Sequence, residues 1–235
     1  MIILPAIDIK DGKCVRLYKG KFYTAQQVAE NYLTTAKSFE QTGAEWIHTV
    51  DLDGAKNGEP INDEIFIDIA KNTNLKVEVG GGIRTMNTIE YYLSNGISRV
   101  ILGSVALSNK QLVVEAVKAY GEKIAVGIDA KHETVRASGW LEKSDINYID
   151  LAKEMEQLGV KYIIYTDISK DGTLEGLNLE HLDKISKAVS CNIIASGGVK
   201  DINDIIACKG LYGVICGKSI YNGSLNLAEA LKYAC

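Results

Sequence analysis

No stretch of this chain approaches the roughly eighteen consecutive apolar residues that a membrane-crossing helix needs. The N-terminal MIILPAIDIKDGK is too short an apolar run for a signal peptide, and Asp8 interrupts it. There is no excess of positive charge. The net charge of -4 argues against a protein of nucleic acids or membrane surfaces. The five cysteines, Cys14, Cys191, Cys208, Cys216 and Cys235, are odd in number and show neither a CxxC nor a Cys/His ligand spacing. A disulfide framework and a zinc site are therefore not expected, and a reducing cytoplasm is the default compartment. The chain also lacks a metal-ligand cluster, a nucleophile elbow and a dinucleotide fingerprint. That leaves acid–base chemistry without a cofactor. No linker or low-complexity segment breaks the chain.

What is present is apolar and regularly alternating. Of the 235 residues, 46% are hydrophobic, enough for a sizeable core. Short β-rich runs occur at Ile2–Asp8, Glu45–Asp51, Lys76–Gly80, Arg99–Gly103, Lys123–Asp129, Lys161–Thr166, Asn192–Ser196 and Gly213–Cys216. Several are continuously apolar, as parallel strands buried on both faces should be. Helical patterns fill the intervals, roughly 25–42, 63–72, 86–95, 110–120, 148–158, 179–188, 202–208 and 225–233. In the first of these, Val28, Tyr32, Ala36 and Phe39 keep helical spacing. Eight strand–helix units in one domain of this length predict a (β/α)8 barrel. A doubly wound sheet is the competing layout, but it usually has fewer strands.

An internal repeat sharpens the prediction. KVEVGGGIRTMNTIEYYLSNGISRVILGSVAL (76–107) and NIIASGGVKDINDIIACKGLYGVICGKSIY (192–221) share one layout. Each is a strand, a Gly pair, a helix, a second strand, and a Gly followed closely by Ser. AIDIK at Ala6 and GIDAK at Gly127 match at the front of each half. The chain therefore reads as two half-barrels, about 1–122 and 123–235.

In such barrels chemistry sits at the C-terminal ends of the strands. Gly81, Gly82, Gly103 and Ser104 converge at one side of that mouth, and Gly197, Gly198, Gly217 and Ser219 at the other. A Gly pair after a strand exposes backbone N–H groups and admits close approach, which suits phosphate. Alone it is as readily a tight turn. Asp8 and Asp129 end the symmetry-matched strands between the two cradles. A carboxylate there is commonly a helix cap or a partner for a nearby Lys, and Lys10 and Lys131 are such partners. Two matched carboxylates are better explained as an acid–base pair acting on a molecule with a phosphate at each end.

Other residues admit two readings. Arg16 fits the mouth or the surface, and Arg84 fits a phosphate contact or a strand cap. His48 fits a core position or a role orienting the ligand. Asp51 and Asp167 end strands and are expected to fix loops, and Thr166 stands beside Asp167. Trp140 follows Gly139 in a polar loop; it suits a lid over a flat heteroaromatic, or an anchor on the rim. His132 and His181 read as solvent-facing.

The segments LPAIDIKDGKCVRLYKG, HTVDLDGAKNG, EVGGGIR, VILGS, VGIDAK, YTDISKDGTLEG, ASGGV and GVICGKSIY resemble, in order and spacing, the phosphoribosylformimino-5-aminoimidazole carboxamide ribotide isomerase family of histidine biosynthesis. The likeness spans essentially the whole chain. The sister cyclase shares the half-barrel repeat. It typically opens with Cys-Leu-Asp, where this chain has Ala6-Ile7-Asp8, and Tyr165-Thr166-Asp167 also favours the isomerase. The resemblance implies an intramolecular oxidoreductase that converts an aminoaldose to an aminoketose by an Amadori rearrangement. It implies Asp8 as base, Asp129 as acid and Thr166 as helper. It implies Arg16, Arg84, Trp140, Asp167, Gly172 and the two Gly/Ser sets as substrate contacts. No cofactor or metal is implied. The expected partner is one small bisphosphorylated substrate, not nucleic acid or membrane, bound by a monomer. The segment after Gly20 lacks the acidic residue and Pro common there, and Lys170 stands where Arg is frequent. Two alternatives remain at this point. One is a bifunctional isomerase that also acts on phosphoribosyl anthranilate. The other is a phosphosugar-binding barrel without catalysis.

Overall fold

The computed structural model describes residues 1–137, 139–140 and 142–234. Cys235 lies outside the described residues, as do Ser138 and Leu141. The described strands are β1 (Ile2–Lys10), β2 (Lys13–Tyr18), β3 (Lys21–Ala29), β4 (Trp46–Asp51), β5 (Lys76–Gly80), β6 (Arg99–Leu102), β7 (Ile124–Lys131), β8 (Thr134–Ala137), β9 (Glu142–Asn147), β10 (Tyr162–Asp167), β11 (Asn192–Ser196) and β12 (Gly213–Cys216). Eight of them pair in parallel in the order β10, β11, β12, β1, β4, β5, β6, β7. A β10–β7 pairing, which sets Tyr162 against Ala125 and Thr166 against Asp129, closes the ring. The fold is the predicted (β/α)8 barrel.

The continuous apolar runs are explained by burial on both faces. Side chains alternate along a strand. In β1, Leu4 and Ala6 point into the barrel, where they meet Ile101, Ala125, Ile164, Ile194 and Ile215. Ile3, Ile7 and Ile9 point outward and pack with helix residues such as Phe39, Ile89 and Ile205. Each such Ile or Leu, fully removed from water, contributes roughly 1.5–3 kcal/mol. The floor of the barrel is aromatic. Arg99 begins β6, and its guanidinium lies 4.4 Å from the Trp46 ring and 4.5 Å from the Tyr162 ring, with Tyr212 at 5.9 Å.

Two excursions depart from the sequence prediction. The first helix runs Tyr32–Thr42, capped by Asn31, not from residue 25. Val28 belongs instead to β3, which pairs with β2 as an antiparallel ribbon. The apolar positions at helical spacing misled because Val28 and Tyr32 sit on opposite sides of that cap. The second ribbon, β8 with β9, rises from β7 in the position that β2 and β3 occupy after β1. Both ribbons stand over the mouth. They meet where the Trp140 ring lies directly on Gly20, in space that any Cβ there would occupy. Among the described residues no helix is long and apolar enough to cross a membrane.

Candidate active site

One cavity opens at the C-terminal end of the barrel, and both Gly sets contribute to its wall. Gly81 and Gly82 hold φ values of 110° and 73°, and Gly197 and Gly198 hold 88° and 104°. L side chains rarely adopt such values. A Cβ on Gly81 would run into the Asp51 carbonyl oxygen, and one on Gly197 would lie 2.6 Å from the Asp167 carbonyl oxygen. Glycine is thus demanded by the turn at both pairs. Gly103 differs, since no atom lies within 4 Å of a Cβ built on it. Its missing side chain leaves open cavity. Short helices, Val105–Ser108 and Lys218–Tyr221, begin just beyond Gly103 and at Gly217, and neither has a side-chain cap. By contrast, Thr85 and Asp201 cap the helices that follow the Gly pairs. The first-turn N–H groups of both short helices thus have no side-chain cap, an arrangement that suits an anion.

Asp8 and Asp129 line the cavity between the two Gly sets. Arg16, on β2, also lines it and donates from Nη1 to Asp8 Oδ2 at 2.7 Å. Its Nη2 donates to the Ala6 carbonyl, and its guanidinium lies 5.4 Å from the Tyr221 ring. Gly217 makes room for this arrangement, for a Cβ there would lie 2.8 Å from Arg16 Cζ. Lys10 turns away to pair with Asp11, and Lys131 is exposed, so neither expected lysine neutralises the mouth. Asp129 accepts a hydrogen bond from Trp140 Nε1 at 2.6 Å. Burial pushes the Asp129 carboxyl above its ordinary value, and the bonds from Trp140 and Thr166 oppose that push. His48, Arg84 and Gly172 also line the cavity.

Two of the expected contacts, Asp167 and Ser219, do not line the cavity. Asp167 is 2% exposed and turned into its own loop, where it accepts from Ser169 N, Ser169 Oγ and Asn178 Nδ2. Asp51 does the same for its loop, accepting from the backbone of Gly54, Ile61 and Asn62. Ser219 is fully buried and is not among the residues that line the cavity. His181 is also not solvent-facing. It is half-buried and shares a 2.7 Å hydrogen bond with the Tyr165 hydroxyl. His132 is exposed, as expected.

Sequence reasoning missed Asp171. It lies in the loop after β10 and lines the cavity with Asp8 and Asp129. Burial pushes its carboxyl up to about 7; Asp8 reinforces this, Arg16 opposes it, and Asp129 and Lys218 act more weakly in opposite senses. The only signal in the sequence was its position four residues past the strand-ending Asp167. The neighbouring Gly172 packs against the Leu17 carbonyl of the first ribbon, and Lys218 Nζ donates to the Gly172 carbonyl at 2.8 Å. Three βα loops therefore lock together around Asp171.

The cavity thus brings together three carboxylates (Asp8, Asp129 and Asp171), three arginines (Arg16, Arg84 and Arg136) and His48 between the two Gly sets, beside Trp140. The arrangement can grip a molecule at two phosphates and move protons along its middle. A Clostridium botulinum (strain Kyoto / Type A2) protein is 58% identical over 234 residues, covering 99% of this chain and 97% of that relative. Relatives from Clostridium kluyveri (strain NBRC 12016) and Clostridium novyi (strain NT) are 55% and 54% identical, each covering 99% of this chain and 98% of the relative. All three carry the name 1-(5-phosphoribosyl)-5-((5-phosphoribosylamino)methylideneamino)imidazole-4-carboxamide isomerase. The profile of the family described as "Histidine biosynthesis protein" matches residues 2–226, and the chain belongs to that family.

Proposed function

We propose that this chain is the aldose–ketose isomerase of histidine biosynthesis that its relatives are named for. It converts the ribosylamine of a bisphosphorylated imidazole carboxamide to the ribulosyl product by an Amadori rearrangement. The observation that carries this reading is the set of carboxylates, Asp8, Asp129 and Asp171, lining one cavity between two glycine cradles. Two phosphate ends match two cradles, and an internal redox shift along the sugar needs only an acid and a base.

In this reading Gly81, Gly82, Gly103, Ser104 and Arg84 take one phosphate, and Gly197, Gly198 and Gly217 take the other. Each half of the chain, about 1–122 and 123–235, then supplies one cradle and one strand-end aspartate. An acid protonates the ring oxygen, the C1–O bond breaks, and the nitrogen lone pair forms a Schiff base. Asp8, oriented by Arg16, removes the C2 proton to give an enolamine. Return of a proton to C1 and loss of the hydroxyl proton at C2 leave the ketone. The family resemblance implied Asp129 as the acid. Asp171, with its carboxyl raised to about 7, is the better matched acid near neutral pH. Asp129 and Thr166 then hold the opened sugar. Trp140 covers the imidazole once its N–H leaves Asp129.

The test is incubation of the protein with the bisphosphorylated aminoaldose in heavy water, followed by NMR. The expected result is loss of the anomeric signal, growth of a ketone carbon and solvent deuterium at C1. A substrate left unchanged overturns the reading.

A further inference from the structure

Three polar side chains form a rung inside the barrel, below the mouth. His48, Glu78 and Arg99 stand on the adjacent strands β4, β5 and β6, and the register sets His48 against Glu78 and Glu78 against Arg99. His48 Nδ1 lies 2.7 Å from Glu78 Oε1. Arg99 donates to Glu78 Oε2 from Nε at 2.9 Å and from Nη2 at 2.6 Å. Glu78 and Arg99 are 0% and 1% exposed, in an interior otherwise built largely of Leu, Ile and Ala. A buried ion pair rarely stabilises a core more than apolar residues of the same volume would. Stability alone therefore does not account for this one.

The rung runs from the floor to the reaction site. At its lower end the Trp46 and Tyr162 rings hold the Arg99 guanidinium. At its upper end His48 lines the cavity, close enough to Asp129 to act on its charge. Burial alone would raise the Glu78 carboxyl, but the bonds from His48 and Arg99 outweigh it and hold it below its ordinary value. An ionised carboxylate can only accept hydrogen bonds, so the proton in the His48–Glu78 contact belongs to Nδ1. Nε2, which makes no hydrogen bond among the described residues, is then the nitrogen left for the cavity.

We propose that Glu78, anchored by Arg99, is a positioning residue: it fixes His48 with Nδ1 protonated and presents Nε2 to the central segment of the substrate, beside Asp129. The kinetic half of this proposal rests on the isomerase reading, whereas the proton arrangement does not. The logic is that of a carboxylate behind a ligating histidine, where the outer partner sets tautomer and ring orientation.

The experiment has two arms. Nitrogen-15 NMR of the full chain reports which ring nitrogens carry protons. With three histidines in the sequence, His48→Gln identifies the signals of His48. The expected result is a protonated Nδ1, and an unprotonated Nδ1 overturns the proposal. In the second arm, Glu78→Gln offers an amide that can turn its NH2 toward Nδ1 and release the tautomer. The expected result is a fall in kcat of about tenfold or more with KM changed by no more than about threefold. A folded variant with native kcat overturns the proposal, and if the variant does not fold, the wild-type tautomer decides. Absence of wild-type turnover alongside a protonated Nδ1 overturns the isomerase reading and leaves the His48–Glu78 arrangement standing.

Discussion

Trp140 and Asp129 are joined by a hydrogen bond of 2.6 Å from the indole Nε1 to Oδ2. The bond ties the second ribbon to the end of the strand from which it rises, and the same indole lies on Gly20 of the first ribbon. One side chain therefore holds both ribbons over the mouth. Trp140→Phe keeps most of the apolar cover but removes the donor. Without that donor the Asp129 carboxyl moves further up, because the Trp140 bond is the foremost of the groups pulling it down. The expected outcome in steady-state kinetics is a KM raised about tenfold, equivalent to about 1.4 kcal/mol of binding. An unchanged KM would remove Trp140 from the substrate's cover.

The two kinds of cradle glycine separate folding from binding. At Gly81 a methyl group meets the Asp51 backbone and the φ of 110° is unfavourable, so Gly81→Ala should cost stability first. At Gly103 nothing lies within 4 Å of the new carbon. Gly103→Ala should melt within about 2 °C of the native protein, a shift of about 1 kcal/mol or less. The methyl group nevertheless takes up space assigned to a phosphate. Its affinity for inorganic phosphate, measured by calorimetry, should fall about tenfold or more. Equal phosphate affinity in Gly103→Ala and the native protein would argue against that cradle.

Much of this site is legible in the amino-acid sequence. The barrel strands announce themselves because burial on both faces demands runs such as VILG and NIIAS. The Gly pairs announce themselves because their turns leave no room for a Cβ. What is not legible depends on tertiary pairing. Glu142–Asn147 reads EKSDIN, with no apolar alternation, and is a strand only because β8 lies beside it. Lys21–Ala29 has the same origin, pairing with β2. Asp167 and Asp171 show the limit most clearly. The sequence marks the strand-ending Asp167, but that residue turns into its own loop. Asp171 is the one that faces the cavity, and its neighbour Gly172 meets Leu17 and Lys218 in contacts that no local pattern encodes. Arg16 admits two readings for a similar reason, since only the ribbon geometry sets it on Asp8.

Asp171 also makes stability depend on pH. In the unfolded chain an aspartate titrates near ~3.9, whereas in the fold burial, reinforced by Asp8, pushes this one up to about 7. Between those values the folded state holds a proton that the unfolded state has lost. Its contribution is therefore neutral below the lower value, falls as pH rises through the window, and is a full cost above about 7. Asp171→Asn removes the cost. Thermal melting should show the variant matching the native protein near pH 4 and exceeding it at pH 8, by about 2–4 °C for each kcal/mol relieved. Its turnover should fall, because the raised carboxyl is the proposed acid. A variant no more stable at pH 8 than at pH 4, relative to native, would contradict the assigned environment.

In the proposed reaction, carboxylates between two phosphate cradles rearrange a bisphosphorylated aminoaldose, with Asp8 as the base. The most direct test is turnover of that substrate by the native protein and by Asp8→Asn, in one buffer at neutral pH. The expected result is rapid conversion by the native protein and a loss of about 10²–10⁴-fold in kcat for Asp8→Asn, the range that removal of a general base commands. No conversion by the native protein, or near-native kcat in Asp8→Asn, would contradict it.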